Sequence, residues 1–144
     1  MDTQMAIGSS DLFIFARTLS RDGSEVATRD AISRAYYAAF HRCRAWELSL
    51  PELGRNEGAR GGSHQELINR LKNPSRKCGE VLRERSRTNG AQLEVQRDRR
   101  QLADYDLEED VMPAVMHDQL SQVQQLLRRC DEPFPVAAMT LPRP

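Results

Sequence analysis

Apolar residues recur at three- and four-residue steps through most of the chain, and no stretch alternates with period two for long, so the pattern predicts an all-α fold. A first helix is expected over about residues 10–21, with Leu12, Phe13, Phe15, Ala16 and Leu19 on its apolar side and Ser9 or Ser10 as its cap. Asp22-Gly23 ends it, and Ser24 is placed to cap a second helix over 24–48. So short a turn sets these two helices antiparallel. Pro51 and the glycines at 54, 58, 61 and 62 predict a long flexible loop over 49–63. Ser63-His64-Gln65-Glu66 has capping-box spacing and starts a third helix, which Asn73-Pro74 stops after Lys72. A polar helical stretch over 75–87, a turn at Thr88-Asn89-Gly90 and a charged segment over 91–104 follow. The last helix, about 109–129, carries Met112, Val115, Met116, Leu120, Val123, Leu127 and Cys130 in helical register, with Pro113 in its first turn. The expected architecture is an antiparallel up-and-down bundle of five or six helices over 10–130. A loose leader (1–9) precedes it, and a tail (131–144) holding four of the seven prolines is expected to be extended or disordered.

The second helix is the most apolar and aromatic element. On a wheel of about 100° per residue, Ile32, Tyr36, Ala39, Cys43 and Trp46 fall on one stripe that should face the core. Arg34 and His41, seven residues apart, stack on the opposite face. Ala38 and Ala45 flank them and would let a second helix approach closely.

Composition narrows the function classes. The formal charge is zero, so net charge does not announce nucleic-acid binding, although a local patch suffices for it. Of 21 basic residues nearly all are arginine, the bidentate, phosphate-matching cation. Three widely spaced cysteines argue against a disulfide framework and for a reducing, cytoplasmic compartment. The start of the chain has no signal-peptide pattern, and no apolar run approaches the roughly 20 residues of a membrane span.

Arg34 and His41 together have the makings of metal-independent RNA cleavage. A neutral imidazole takes a proton from a ribose 2′-hydroxyl, its protonated form gives one to the leaving 5′-oxygen, and a guanidinium holds the scissile phosphate. The competing reading is a solvated face with an Arg34–Asp30 ion pair one turn apart. Tyr37, between them on nearly the same face, suits base stacking or an interface hydroxyl, while Tyr36 points to the core. His64 sits at a helix start, and His117 lies off its helix's apolar stripe and should be solvated. Arg97, Arg99 and Arg100 form either a phosphate contact or an exposed face laced with Glu94 and Asp98. The histidines and cysteines lack metal-ligand spacing, so no metal or other cofactor is expected.

Ser33-Arg34-Ala35-Tyr36-Tyr37-Ala38-Ala39-Phe40-His41 resembles the central helix of the small HEPN-domain proteins of bacteria and archaea. Arg99-Arg100-Gln101-Leu102-Ala103-Asp104-Tyr105-Asp106 resembles the second signature of one HEPN branch, an Arg followed by Ala-Asp-Tyr-Asp, and His64 falls where that branch often carries a histidine. The resemblance implies a helical bundle that forms a homodimer with a composite cleft at its interface. It also implies a metal-independent endoribonuclease leaving a 2′,3′-cyclic phosphate and a 5′-hydroxyl, with Arg34 holding the phosphate and His41 as acid/base. Tyr37, His64, Arg99 and Arg100 complete the candidate set as substrate-binding residues. Such proteins are often toxins paired with a nucleotidyltransferase antitoxin, or phage-defence effectors. Other members are non-catalytic nucleotide-binding or accessory subunits. In members whose antitoxin adenylylates a tyrosine, that residue follows the histidine by two positions; Cys43 stands there in this chain.

Overall fold

Ser24 Oγ accepts the Ala27 N–H at 3.1 Å, satisfying one of the free amides at a helix start, and so opens α2 (Glu25–Glu47) where the sequence predicts it. A computed structural model describes residues 7–58 and 61–135 of the chain. Among these the fold is a helical bundle without a strand: α1 (Ser9–Leu19), α2, α3 (Ser63–Lys72), a single 3-10 turn (Arg76–Cys78), α4 (Gly79–Tyr105) and α5 (Pro113–Asp131). The central helix α2 is flanked by α1, α4 and α5, while α3 packs mainly on α4. No helix of the described residues is long and apolar enough to cross a membrane.

The stripe expected on α2 is buried: Ile32, Tyr36, Ala39, Cys43 and Trp46 are all at most 1 % exposed. Burial extends much further round the helix than one stripe. Ala31, Ser33, Ala35, Ala38 and Phe40 are also buried. Ala38, expected to receive a helix of a second chain, is covered by its own chain, because α2 has neighbours on several sides. Ala45 stays exposed.

The turn expected at Thr88-Asn89-Gly90 does not exist; α4 runs through it without a break. Asn89 and Gly90 are buried, and a Cβ at Gly90 would lie 2.8 Å from Lys72 Cγ and 3.0 Å from Leu71 Cβ. This glycine allows α3 and α4 to touch closely, and costs helix propensity to do so. Asn89 is held by the Arg129 Nε donor at 2.7 Å. The polar stretch expected as a helix from residue 75 is a 3-10 turn first, with α4 starting at Gly79.

Two caps also differ from expectation. Gly8, not a serine, is the N-cap of α1, and the Asp11 carboxylate accepts its N–H at 2.9 Å. Gly62 caps α3, so Ser63 is already helical. The loop expected to be flexible is docked over its first part. Arg55 N–H donates to Asn73 O at 2.9 Å, Asn69 Nδ2 donates to Asn56 Oδ1 at 2.9 Å, and Gly54 lies so close to the Arg70 and Asn73 carbonyls that no Cβ would fit. The tail is engaged as far as it is described. Phe134 meets Trp46 edge-on at 6.1 Å, and Arg85 donates to Pro133 O at 3.0 Å. The rest of the expected extended tail, and most of the expected leader, lie outside the described residues.

Buried polar groups tie the helices together. Gln119 of α5 donates to Ile32 O at 3.4 Å and to Gln96 O at 3.1 Å. Buried Glu47 at the end of α2 takes three contacts from the Arg70 guanidinium of α3, the shortest 2.7 Å. Arg29 of α2 is 8 % exposed and donates to the carbonyls of Ala103 and Asp106, both at 3.0 Å, and to that of Glu109. Ala103 O is one of the carbonyls that the end of a helix leaves without a partner, and Asp106 and Glu109 lie in the chain just after it, so Arg29 clamps the end of α4 against α2.

Candidate functional site

Beyond its first turn, the exposed positions of α2 are Asp30, Arg34, His41, Arg44 and Ala45, with half-buried Tyr37 among them. These positions step by three or four residues and so form one line along the helix. Asp30, Arg34, Tyr37 and His41 line an open depression of about 530 Å³, closed by Leu12 of α1 on one side and by Asp104 and Tyr105 of α4 on another, with Ser33 in its wall. Arg34 and His41 are therefore brought into one site, as their spacing suggests. Arg34 makes no ion pair or hydrogen bond among the described residues, so the alternative Arg34–Asp30 pair is not formed, although both side chains border the depression.

The His41 imidazole packs beside Phe40 at 5.3 Å and Tyr37 at 6.4 Å between ring centres. Partial burial against these rings, and then the nearby Arg44 cation, hold its pKa below the ordinary imidazole value. A neutral imidazole at physiological pH is the form that accepts a proton.

His64, at the start of α3, is drawn into the bundle instead of facing water. It stacks on Phe40 at 4.1 Å, and its Nδ1 lies 2.6 Å from Tyr36 Oη. Burial raises the Tyr36 phenol above its ordinary pKa, with Arg100 opposing, so the phenol keeps its proton in this hydrogen bond. Burial first, followed by Arg100 and Arg97, pushes the His64 pKa down. His64 borders the aromatic cluster behind the depression and does not line the depression itself.

The three arginines of α4 separate. Arg99 turns to α5, donating to Gln122 at 2.9 Å and Gln119 at 3.3 Å, so it is removed from the candidate substrate contacts. Arg97 donates to Gln65 of α3. Arg100 alone reaches the site. It is 7 % exposed, and its guanidinium lies 5.3 Å from the Tyr36 ring, 5.6 Å from Tyr37 and 5.8 Å from Tyr105. Its nearest carboxylate oxygen is Asp104 Oδ2 at 3.7 Å, beyond a good hydrogen bond, and its buried Nε has no acceptor.

Cys43 faces the opposite way from the depression, buried against Cys130. The Cys130 thiol and then burial push its pKa up, whereas the contact with Cys43 holds that of Cys130 down. His117 is exposed as expected, and borders a separate groove of about 410 Å³ between α1 and α5 with Arg17 and Arg21. Among the described residues no group of three or more His, Cys, Asp or Glu side chains is placed to hold a metal ion.

Asp30, Ser33, Arg44, Asp104 and Tyr105 are site residues that motif spacing alone did not single out. Asp30 and Arg44 had a usable signal, since they continue the strip at a helical step on either side of Arg34 and His41. Asp104 and Tyr105 lie about 70 residues away in sequence, and the packing of α4 on α2, with the Arg29 clamp and the Ser33–Asp104 hydrogen bond, brings them alongside. Neither a family model, nor a curated protein, nor a solved structure matches this chain.

Proposed function

We propose that this chain is a metal-independent endoribonuclease of the HEPN type, an antiparallel bundle that works as a homodimer in a toxin or defence role. The observation that carries the proposal is the α2 strip. Arg34, exposed and without an ion pair or hydrogen bond among the described residues, and His41 border the same depression with Tyr37 beside them. In the reaction His41 removes the ribose 2′-hydroxyl proton, the 2′-oxygen attacks phosphorus, and the bond to the 5′-oxygen breaks as that oxygen is protonated. A 2′,3′-cyclic phosphate and a 5′-hydroxyl result. Arg34 binds the phosphate and offsets charge growing on its oxygens. The same histidine of a second copy, in its protonated imidazolium form, supplies that proton and is left neutral, while the first is left protonated. Exposed Ile14 and Phe15 on α1, the helix that closes one side of the depression, favour a second chain covering this edge.

The test is RNA cleavage by the purified chain in excess chelator. Cleavage with cyclic-phosphate ends is expected, falling roughly 10²-fold or more in His41→Ala with an unchanged circular dichroism spectrum. Cleavage that persists in His41→Ala, or that requires a divalent cation, rejects the proposal. Asp30 and Asp104 offset the two cations at the depression. That balance favours a second reading, a non-catalytic nucleotide-binding or accessory subunit of a nucleotidyltransferase system. It predicts nucleotide binding without cleavage.

A further inference from the structure

We infer that the depression reads the base of a guanine nucleotide, with Asp104 as the residue that sets the preference. The inference rests on the depression being a nucleotide site, as both readings above require. A pocket that gripped phosphate alone would gain nothing from two carboxylates, which repel a phosphate. Asp30 and Asp104 nevertheless border this one, together with two tyrosines, Tyr37 and Tyr105.

Asp104 is held for the task. Its Oδ2 accepts from Ser33 Oγ at 3.2 Å, and the Arg100 guanidinium stands 3.7 Å from the same oxygen. Arg29 locks the backbone of that turn by binding the Ala103 and Asp106 carbonyls on either side of it. No protein donor within hydrogen-bonding distance engages the other carboxylate oxygen among the described residues. The result is an oriented acceptor with spare capacity at the wall of the depression. Tyr105 is 74 % exposed at the rim, and Tyr37 is half-buried along the floor. A flat base can stack on either ring, with the Arg100 cation beside both. The volume of about 530 Å³ lies within the usual range of small-ligand pockets, about 300–1,000 Å³.

The chemistry of the Watson–Crick edges selects the base. Guanine alone displays two adjacent donors there, N1–H and the 2-amino group, which match the two oxygens of a carboxylate. Adenine and cytosine each turn a ring-nitrogen lone pair toward it, and uracil sets one N–H between two carbonyl oxygens. Each mismatch leaves an acceptor facing an acceptor, so the carboxylate discriminates by repulsion as well as by attraction.

The four nucleoside 3′-monophosphates, titrated calorimetrically into the full chain in chelator, test this. Guanosine 3′-monophosphate is expected to bind roughly ten-fold or more tighter than uridine 3′-monophosphate, the size of discrimination of one good bidentate pair. Asp104→Asn should bring the four within about two-fold of one another. Tyr105→Ala, at an exposed ring, should weaken all four by a similar factor and keep their order. Should Asp104→Asn fail to fold, Ser33→Ala, which frees the carboxylate without removing it, should lower the guanine preference. Equal binding of the four by the native chain, no binding of any, or a guanine preference that survives the Asp104→Asn change overturns the inference. A full preference in Ser33→Ala, where that variant is the one read, does the same. RNA cleavage with no guanine preference retains the nuclease and removes this inference. A guanine preference without cleavage retains the inference and removes the nuclease.

Discussion

At the scale of single residues, the site couples its titrating groups to aromatic rings instead of to carboxylates. His41 and His64 both flank Phe40, and Tyr36 is hydrogen-bonded to His64. Burial lowers both imidazole pKa values, and neighbouring guanidiniums lower them further. The unfolded chain, with imidazoles near the ordinary value of about 6.5, therefore takes up protons at a higher pH than the folded chain does. The stability that these groups contribute is complete above about pH 6.5 and is lost as pH falls below it toward the folded values. The thermal midpoint is expected to drop between pH 7.5 and 5.5, and His64→Gln should flatten part of that drop. An unchanged slope in the variant would remove His64 as a source. The same shifts keep His41 in its base form at neutral pH, so general-base activity should extend to lower pH than a free imidazole allows. Spacing in the sequence was enough to pair Arg34 with His41, because two turns of one helix need no tertiary information. It was not enough for His64, whose surroundings come from Tyr36 and Phe40, more than 20 residues earlier in the chain.

At the scale of elements, Gly90 is the residue whose meaning the sequence misassigns. Asn-Gly is a strong turn signal, and here both residues lie inside a helix of 27 residues. The sign of Gly90→Ala separates the two roles. In an ordinary exposed helix position it would stabilise by about 1 kcal/mol through helix propensity. Against Leu71 and Lys72, where part of the conflict is with the Lys72 backbone nitrogen at 3.1 Å, it is expected instead to destabilise. A loss of roughly 1–3 kcal/mol is expected in urea unfolding, and a variant more stable than the native chain would show that α3 and α4 are not in close contact there. Helix α2 is central, as its apolar and aromatic sequence implies, but its buried face is wider than one stripe. One apolar stripe suits a helix with one neighbour. A helix packed by α1, α4 and α5 buries its small and polar residues as well, and Ser33, Ala35 and Ala38 carry no periodic signal strong enough to reveal that.

At the scale of the whole molecule, the uncovered apolar residues of α1 are where association should be felt. Ile14 is 60 % and Phe15 51 % exposed, on the helix that also borders the depression through Leu12. Phe15→Glu is expected to shift the proposed dimer to monomer in sedimentation while leaving the circular dichroism unchanged; a native chain that sediments as a monomer, or a variant that stays dimeric, would take α1 out of the interface. The sequence by itself determined the helical class, most helix limits, the core register of α2 and the common face of Arg34 and His41. These follow from local rules: a 3.6-residue period, caps, and the exclusion of proline from helix interiors. Tertiary structure alone decided that α4 passes through Asn89-Gly90, that Arg100 and not Arg99 turns to the site, and that Asp104 and Tyr105 wall it. The reason is physical. Arg99 and Arg100 are equally basic and differ by about 100° of helix rotation, so only the packing of α2 on one side of α4 and α5 on another distinguishes a site residue from a strut.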